Sequence, residues 1–486
     1  MVLGDIVSII SFALGGFILI FGLYSLVIKE KLCVSEAFVA LLFGILLGPV
    51  CLSIIDTNDW EHKNIFTGQF SRIVIAIQVM AAGIQLPKTY IYTELRSLLL
   101  FLGPVMIWMW LISAFCVKSI FPYLSYVETL IIASCFTPTD PVLSNSILQG
   151  QFAEKHVPVT IRNILSAESG ANDGLGYPFL FLALYWCKYS PEIAIQRWTL
   201  SIMVYDIGFA VFLGAGFGYS AKLLLKSAKK KNTIDQGSFF AFTITFTFFL
   251  MGLTAIFGCD DLLACFVAGC TLVWDDWFKT EIKDTHIMEV VDLLLNLSIF
   301  VYIGATIPWS AFTDADLGMG WSKLLTLAIL VVIFRRLPIV IALYPYMPAI
   351  KGFRQALFTG FFGPIGIGSV FYYSVAVQAI PLLFGQQSDG DINHLVLDMI
   401  EPIIYFMVIT SIVVHGNSIT IYHLGTLACK RLSKTKVTCG RYVSGLLPFT
   451  VCIRIENEIF ANGGILYLLL FWCEIYLRKR LLTMDR

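Results

Sequence analysis

The chain has 486 residues, 58% of them hydrophobic and only 14% charged, where an ordinary soluble domain carries about 25% charged residues; a large water-soluble domain is excluded and a polytopic membrane protein implied. Its 33 basic and 33 acidic residues cancel, so no basic surface points to nucleic acid. Twelve cysteines fall mostly inside apolar runs, Cys51, Cys116, Cys135, Cys265 and Cys270 among them, without paired or metal-ligand spacing, and read as small buried hydrophobes.

The first apolar stretch, Ile6 to Ile28, is long for a signal peptide and has no basic leader, so it counts as a true span. Further apolar stretches near the ~20 residues that cross a bilayer as helix centre at residues 45, 78, 109, 137, 175, 212, 248, 269, 299, 333, 370 and 405. The expected fold is therefore an all-α membrane protein of about thirteen transmembrane helices. Connections after odd-numbered spans carry Lys29, Lys31, Lys88, Arg96, Lys155, Arg162, Lys226, Lys229 to Lys231, Lys279, Lys283, Lys351 and Arg354. Those after even-numbered spans carry far fewer: Lys63, Arg72, Lys118, Lys188, Arg197 and Lys323. The positive-inside rule puts the first set in the cytoplasm, with the N-terminus outside and the tail after His415 inside. A transmembrane domain over residues 1–425 and a cytoplasmic tail over 426–486 follow. In that tail "GGILYLLLFWCEIYLRKR", Gly463 to Arg480, is short for a span, is interrupted by Glu474 and reads as an interfacial helix.

"AAGIQLP" (Ala81 to Pro87) ends the third span and "YIGATIP" (Tyr302 to Pro308) ends the tenth. Each precedes a broken helix, "TPTDP" in the fifth span and "FGPIGIG" in the twelfth. The offset of seven spans is odd, so the two units would cross the membrane in opposite senses. That is the arrangement of inverted repeats with discontinuous helices crossing near the midplane.

In "TPTDP", Pro138 and Pro141 lack amide protons and disfavour helical geometry at Thr137 and Asp140. The helix must open near Thr139 and Asp140, and opened backbone at membrane depth needs protein or a polar cavity as its partner. Freed carbonyls beside the Asp140 carboxylate would make a seat for a small hard cation. An acid at mid-span costs roughly 2.5 to 3.5 kcal/mol on insertion scales; the alternative is an aspartate capping the second half-helix. The next span, "LSAESGANDGLGYP", holds Glu168, Ser169, Asn172 and Asp173 within two turns. Ser169, Asn172 and Asp173 share one helical face that can meet the opening, and Gly170, Gly174 and Gly176 would permit the close approach.

Other charges carry less. Asp260 and Asp261 stand at the start of the ninth span, where acids are also favoured by the helix dipole. Asp206 and Asp292 have no partner in sequence and read as polar links between helices. Lys229 to Lys231 read as a solvated run, and His394 and His415 show no metal spacing.

"FTPTDPVLSNSILQGQFAEKHVP", "RNILSAESGANDGLGYPF" and "FGPIGIG" together resemble the fungal sodium/proton antiporters of the monovalent cation/proton antiporter family, over roughly residues 10 to 420. The resemblance implies the sodium/proton antiporter fold and an exchange of cytoplasmic Na+, also Li+ and with K+ left open, for H+, in salt tolerance and cation and pH homeostasis. It implies that Asp173 alternately holds a proton or Na+, with Asn172 its neutral neighbour. Asp140, Thr139 and Ser169 would complete the cation site, and Glu168 would pair with Arg335 or Arg336. It matches Asp260 and Asp261 to an acidic pair that matters for transport in the family, and implies a homodimer in the plasma membrane. No cofactor is implied. The chain departs from the family at Ile365, where many relatives have arginine, at Phe361 for histidine and at Gln85 for glutamate; the long hydrophilic tail of some members is not expected.

Other function classes are weaker. An intramembrane aspartyl protease would fit "Tyr205-Asp206", but "LGAGFGYS" (Leu213 to Ser220) lacks the acid a Gly-x-Gly-Asp motif requires. The absence of a P-loop pattern disfavours an ATP-driven pump. A channel or non-transporting cation sensor on the same scaffold is not separated by motif.

Overall fold

The computed structural model describes residues 3–28, 34–55, 60, 62–141, 143–144, 157–282, 287–385, 394–418 and 420. The expected cytoplasmic tail, with its interfacial helix, lies outside the described residues, as do Lys29, Lys31, Lys155 and Lys283. Regular structure among the described residues is entirely helical. The principal helices are α1 (Leu3–Leu26), α2 (Glu36–Leu47), α3 (Lys63–Gln85), α4 (Leu95–Ile120), α5 (Tyr126–Cys135), α6 (Val159–Asn172), α7 (Gly176–Lys188) and α8 (Pro191–Lys230). After them come α9 (Gln236–Phe257), α10 (Asp261–Leu272), α11 (Ile287–Ala305), α12 (Trp321–Tyr346), α13 (Phe353–Phe361), α14 (Ile367–Phe384) and α15 (His394–Gly416). Taking α6 with α7 and α13 with α14 as single interrupted passages, the described residues form thirteen helical passages. Seven described helices are long and apolar enough to span a bilayer by themselves, and shorter apolar helices supply further passages.

The surface is apolar where a soluble protein would be charged: Leu23, Ile256 and Leu382 are more than four-fifths exposed, the outside-apolar arrangement a lipid solvent permits. Polar side chains are gathered inside, with Thr139, Asp140, Glu168, Ser169, Asn172, Asp173, Arg335 and Arg336 all buried. Cys116, Cys135, Cys265 and Cys270 are buried as read from the sequence, whereas Cys51 is exposed, because it falls in the turn after α2.

Local chemistry sets several helix starts. Ser125 and Glu128 form a capping box at α5, each side chain bonding the other's backbone N–H, at 3.2 and 2.6 Å. The Ser35 hydroxyl caps α2 by accepting from Phe38 N–H at 3.2 Å. α2 crosses α11 at Gly44 and Gly304, where a Cβ would lie 2.1 Å from the Val301 carbonyl oxygen and 2.3 Å from that of Leu41, so only glycine admits this backbone contact. Lys229, read as solvated, is half exposed but pairs with Glu281, and Lys226 reaches Asp275 at 2.5 Å.

The third and tenth passages, α3 and α11, carry the paired sequence signatures, and the two broken helices meet. Asp140 N–H donates to the Pro364 carbonyl at 2.9 Å, joining the two breaks through their backbones. Crossed discontinuous helices in two inverted units are thus the organising feature.

Candidate cation site

Proline placement opens both helices, so each break exposes two ends: a half-helix C-terminus with carbonyls to spare and a half-helix N-terminus with spare amides. Opposite charges occupy them. The Arg335 guanidinium donates to the carbonyls of Thr137 at 2.7 Å, Pro138 at 3.0 Å and Gly363 at 2.9 Å, serving the C-terminal ends of α5 and α13 together. Asp140 does the converse: Oδ2 accepts from Leu143 N–H at 2.7 Å where the fifth passage resumes, and Oδ1 accepts from Ile367 N–H at 2.9 Å at the start of α14. Negative charge at two N-termini and positive charge at two C-termini each oppose the helix dipole there.

This corrects one expectation. The carbonyls freed by the TPTDP break do not face an open seat; the planar, multi-donor guanidinium of Arg335 takes those of Thr137 and Pro138. Asp140 caps the resumed helix, as the alternative reading had it, and caps α14 as well.

Asn172 and Ser169 of α6 hold the other side of the opening. Asn172 Nδ2 donates to Thr139 Oγ1 at 2.8 Å, and Asn172 Oδ1 accepts from Thr139 N–H at 3.3 Å, a reciprocal clamp on the non-helical residue. Ser169 Oγ lies 3.1 Å from Thr139 Oγ1 and 3.4 Å from Ser144 Oγ. Asp173 behaves differently. It stands at the joint between α6 and α7, and its carboxylate faces the start of α14, where a Cβ on Gly368 would be 2.7 Å from Oδ1. Gly366, two residues earlier, faces Asp140 in the same way, its Cβ falling 2.3 Å from Asp140 Cγ. The Tyr372 hydroxyl donates to the Asp173 main-chain carbonyl. Both carboxylate oxygens of Asp173 are buried and accept no hydrogen bond among the described residues. The two acids are close enough for Asp140 to act electrostatically on Asp173.

The sequence grouped Ser169, Asn172 and Asp173 on one face toward the break. Instead Ser169 and Asn172 serve Thr139, while Asp173 serves α14. The glycines expected to admit the fifth span have other neighbours: Gly170 lies against Phe266, Gly174 against Leu263 and Gly176 against the Tyr372 ring.

Behind the crossing, Glu168 and Arg336 form a two-pronged pair, Nη1 to Oε1 at 2.5 Å and Nη2 to Oε2 at 2.6 Å, with both side chains at most 3% exposed. Arg336 also donates from Nε to the Thr359 carbonyl at 3.0 Å, which ties α6 to α13. Of the two arginines offered by the sequence, Arg336 holds Glu168 and Arg335 holds the half-helix ends. Asp260 caps α10 by accepting from Leu263 N–H at 2.8 Å, its Oδ2 buried without partner, and Asp261 bonds Arg72 Nε at 2.6 Å. Asp260 thus caps a helix and also lies within electrostatic reach of Asp173, while Asp261 is held by Arg72. Sequence reasoning missed Tyr372, which nothing in its setting marks, and the carboxylate-facing roles of Gly366 and Gly368, whose signal was the alternate glycines of FGPIGIG.

A family model for the transmembrane sodium/hydrogen exchanger matches residues 16–424. A Na+/H+ antiporter of Saccharomyces cerevisiae is 38% identical over 441 residues, 88% of this chain and 45% of that protein. A Na+/H+ antiporter of Schizosaccharomyces pombe is 36% identical over 414 residues, 83% of this chain and 88% of that protein. The chain spans about half the length of the first of these relatives. Among solved structures, the sodium proton antiporter MjNhaP1 from Methanocaldococcus jannaschii at pH 8 superposes with a TM-score of 0.64 at 18% identity, over 86% of this chain and all of that one, a likeness of fold.

Proposed function

The chain belongs to the sodium/hydrogen exchanger family, and on that premise we propose that it is a secondary antiporter exchanging Na+, and also Li+, for H+ at Asp173, with K+ a further candidate cargo. The observation that carries the reading is the Asp173 carboxylate, fully buried with both oxygens unbonded. An ionised carboxylate left so is costly by several kcal/mol, by order of magnitude. A proton or a dehydrated cation relieves the cost, and one carboxylate does not hold both at once. Competition at one site then couples the two flows, provided the site changes sides only when the charge of Asp173 is neutralised by one ion or the other.

The surrounding groups have distinct duties. Asp173 carries the exchanged ion; Asp140, held at the two half-helix N-termini, lends negative charge beside it. Ser169 and Thr139 offer hydroxyl oxygens, and Asn172 fixes Thr139. Glu168 and Arg336 hold α6 against α13. Asp260, within electrostatic reach of Asp173, and Asp261, held by Arg72, are accessory to this set. The proposal includes a plasma-membrane homodimer with the N-terminus outside and the C-terminus cytoplasmic, the orientation supported by the distribution of lysine and arginine.

Proteoliposomes bearing the protein test it. An imposed Na+ gradient should drive proton movement in the wild type and none in Asp173→Asn. Wild-type exchange by Asp173→Asn would remove Asp173 from the mechanism.

A further inference from the structure

A second polar cluster lies inside the helical bundle apart from the crossing, and the exchange at Asp173 makes no use of it. Asp292 of α11 lies within interaction range of Gln78 of α3 and of Asn296, one turn further along α11. Gln78 Nε2 also donates to Asn296 Oδ1. Gln78 is 2% exposed, and its side-chain carbonyl oxygen Oε1 is buried without a hydrogen-bond partner. Asp292 itself is only partly buried, and it lies within electrostatic reach of Glu36, at the start of α2, and of Asp140. These residues sit at one end of the bundle: α2 begins there with Glu36, α3 ends there seven residues after Gln78, and α11 begins there five residues before Asp292. It is the end that the lysine and arginine distribution assigns to the cytoplasm.

A buried amide oxygen without a donor is costly by about 1–3 kcal/mol, and a partly exposed acid beside it supplies charge. Two kinds of oxygen with one formal negative charge suit a monovalent alkali cation that keeps part of its water. A polar link between helices, the reading the sequence favoured for Asp292, would leave the orphan oxygen unaccounted for. We propose that Asp292 and Gln78 Oε1 form an outer cation site on the cytoplasmic side, where Na+ pauses partly dehydrated before reaching Asp140 and Asp173. The proposal rests on the exchanger reading for the identity of the ion and for its path onward to Asp173.

Equilibrium binding of 22Na+ to purified full-length protein at alkaline pH tests it without relying on transport. Asp173→Asn should retain a weaker 22Na+ site, and Asp173→Asn with Asp292→Asn should lose it, while Asp292→Glu in place of Asn should restore it. In liposomes, Asp292→Asn alone should raise the half-saturating Na+ on the cytoplasmic face by about fivefold, the effect of one partly screened charge contact, with the maximal rate unchanged. No 22Na+ binding in Asp173→Asn, or binding that persists in the double variant, overturns the outer site. So does a fall in maximal rate without a change in half-saturation. Absence of exchange in the wild type with the binding pattern intact would instead count against the antiport reading alone.

Discussion

Replacing Asp140 by asparagine separates its role from that of Asp173. Asp140 Oδ1 and Oδ2 accept backbone amides from Ile367 at 2.9 Å and Leu143 at 2.7 Å. An asparagine has one carbonyl oxygen, so one of those amides must face an NH2 group and lose its acceptor. Losing a hydrogen bond to a charged group costs about 1.5–3 kcal/mol. Removing the negative charge from two buried half-helix N-termini adds about 1–2 kcal/mol. Asp140→Asn should therefore destabilise the protein by about 2.5–5 kcal/mol, read from equilibrium unfolding of purified protein in an SDS titration at alkaline pH. Asp173→Asn should behave oppositely. Its oxygens accept no protein hydrogen bond, so the exchange of carboxylate for amide removes an uncompensated charge and leaves stability unchanged or raised. A loss below ~1 kcal/mol for Asp140→Asn, or equal losses for the two variants, would refute the assignment of Asp140 as the cap of both half-helices.

Arg336→Met should cost about 3–5 kcal/mol in the same titration, because it strands a buried Glu168, and adding Glu168→Gln should recover most of that loss; strict additivity of the two would mean the pair is not coupled. Gly368→Ala places a methyl group 2.7 Å from Asp173 Oδ1, so exchange should fall by about a hundredfold through displacement of the carboxylate while folded yield is kept; a near-normal rate would argue against close approach of α14. Lowering pH should raise the half-saturating Na+ by about tenfold per unit while the proton-bound form dominates, by mass action at one shared site, with the maximal rate retained. A half-saturation independent of pH would mean that proton and cation bind separately.

The passages and their number were legible because lipid imposes a strong pattern: each crossing needs a run of apolar residues and each break needs proline or glycine. The two breaks were legible for that reason, Pro138 and Pro141 in one and Gly363 to Gly368 in the other. What the breaks do with their freed groups was not. Whether Thr137 and Pro138 offer their carbonyls to an ion or to a guanidinium depends on Arg335, which is remote in sequence and whose aim is fixed only by how α12 packs. The same holds for the choice between Arg335 and Arg336 as the partner of Glu168: adjacent residues at a helix interruption point in directions that spacing does not specify. Helical periodicity grouped Asp173 with Ser169 and Asn172, but the α6–α7 joint falls at Asp173 and sends its carboxylate toward Gly368 instead. Asp260 shows the reverse case, since a cap is a local device and the sequence position already suggested it.

Proton release on Na+ binding tests the central claim most directly. When Na+ is added to purified protein in weakly buffered solution near neutral pH, a carboxylate that holds either ion must give up its proton, so the wild type should acidify the medium in proportion to the Na+ bound at Asp173, the part of its binding that Asp173→Asn lacks, and Asp173→Asn should not. Equal release from both proteins, or Na+ binding to the wild type without any release, would contradict it.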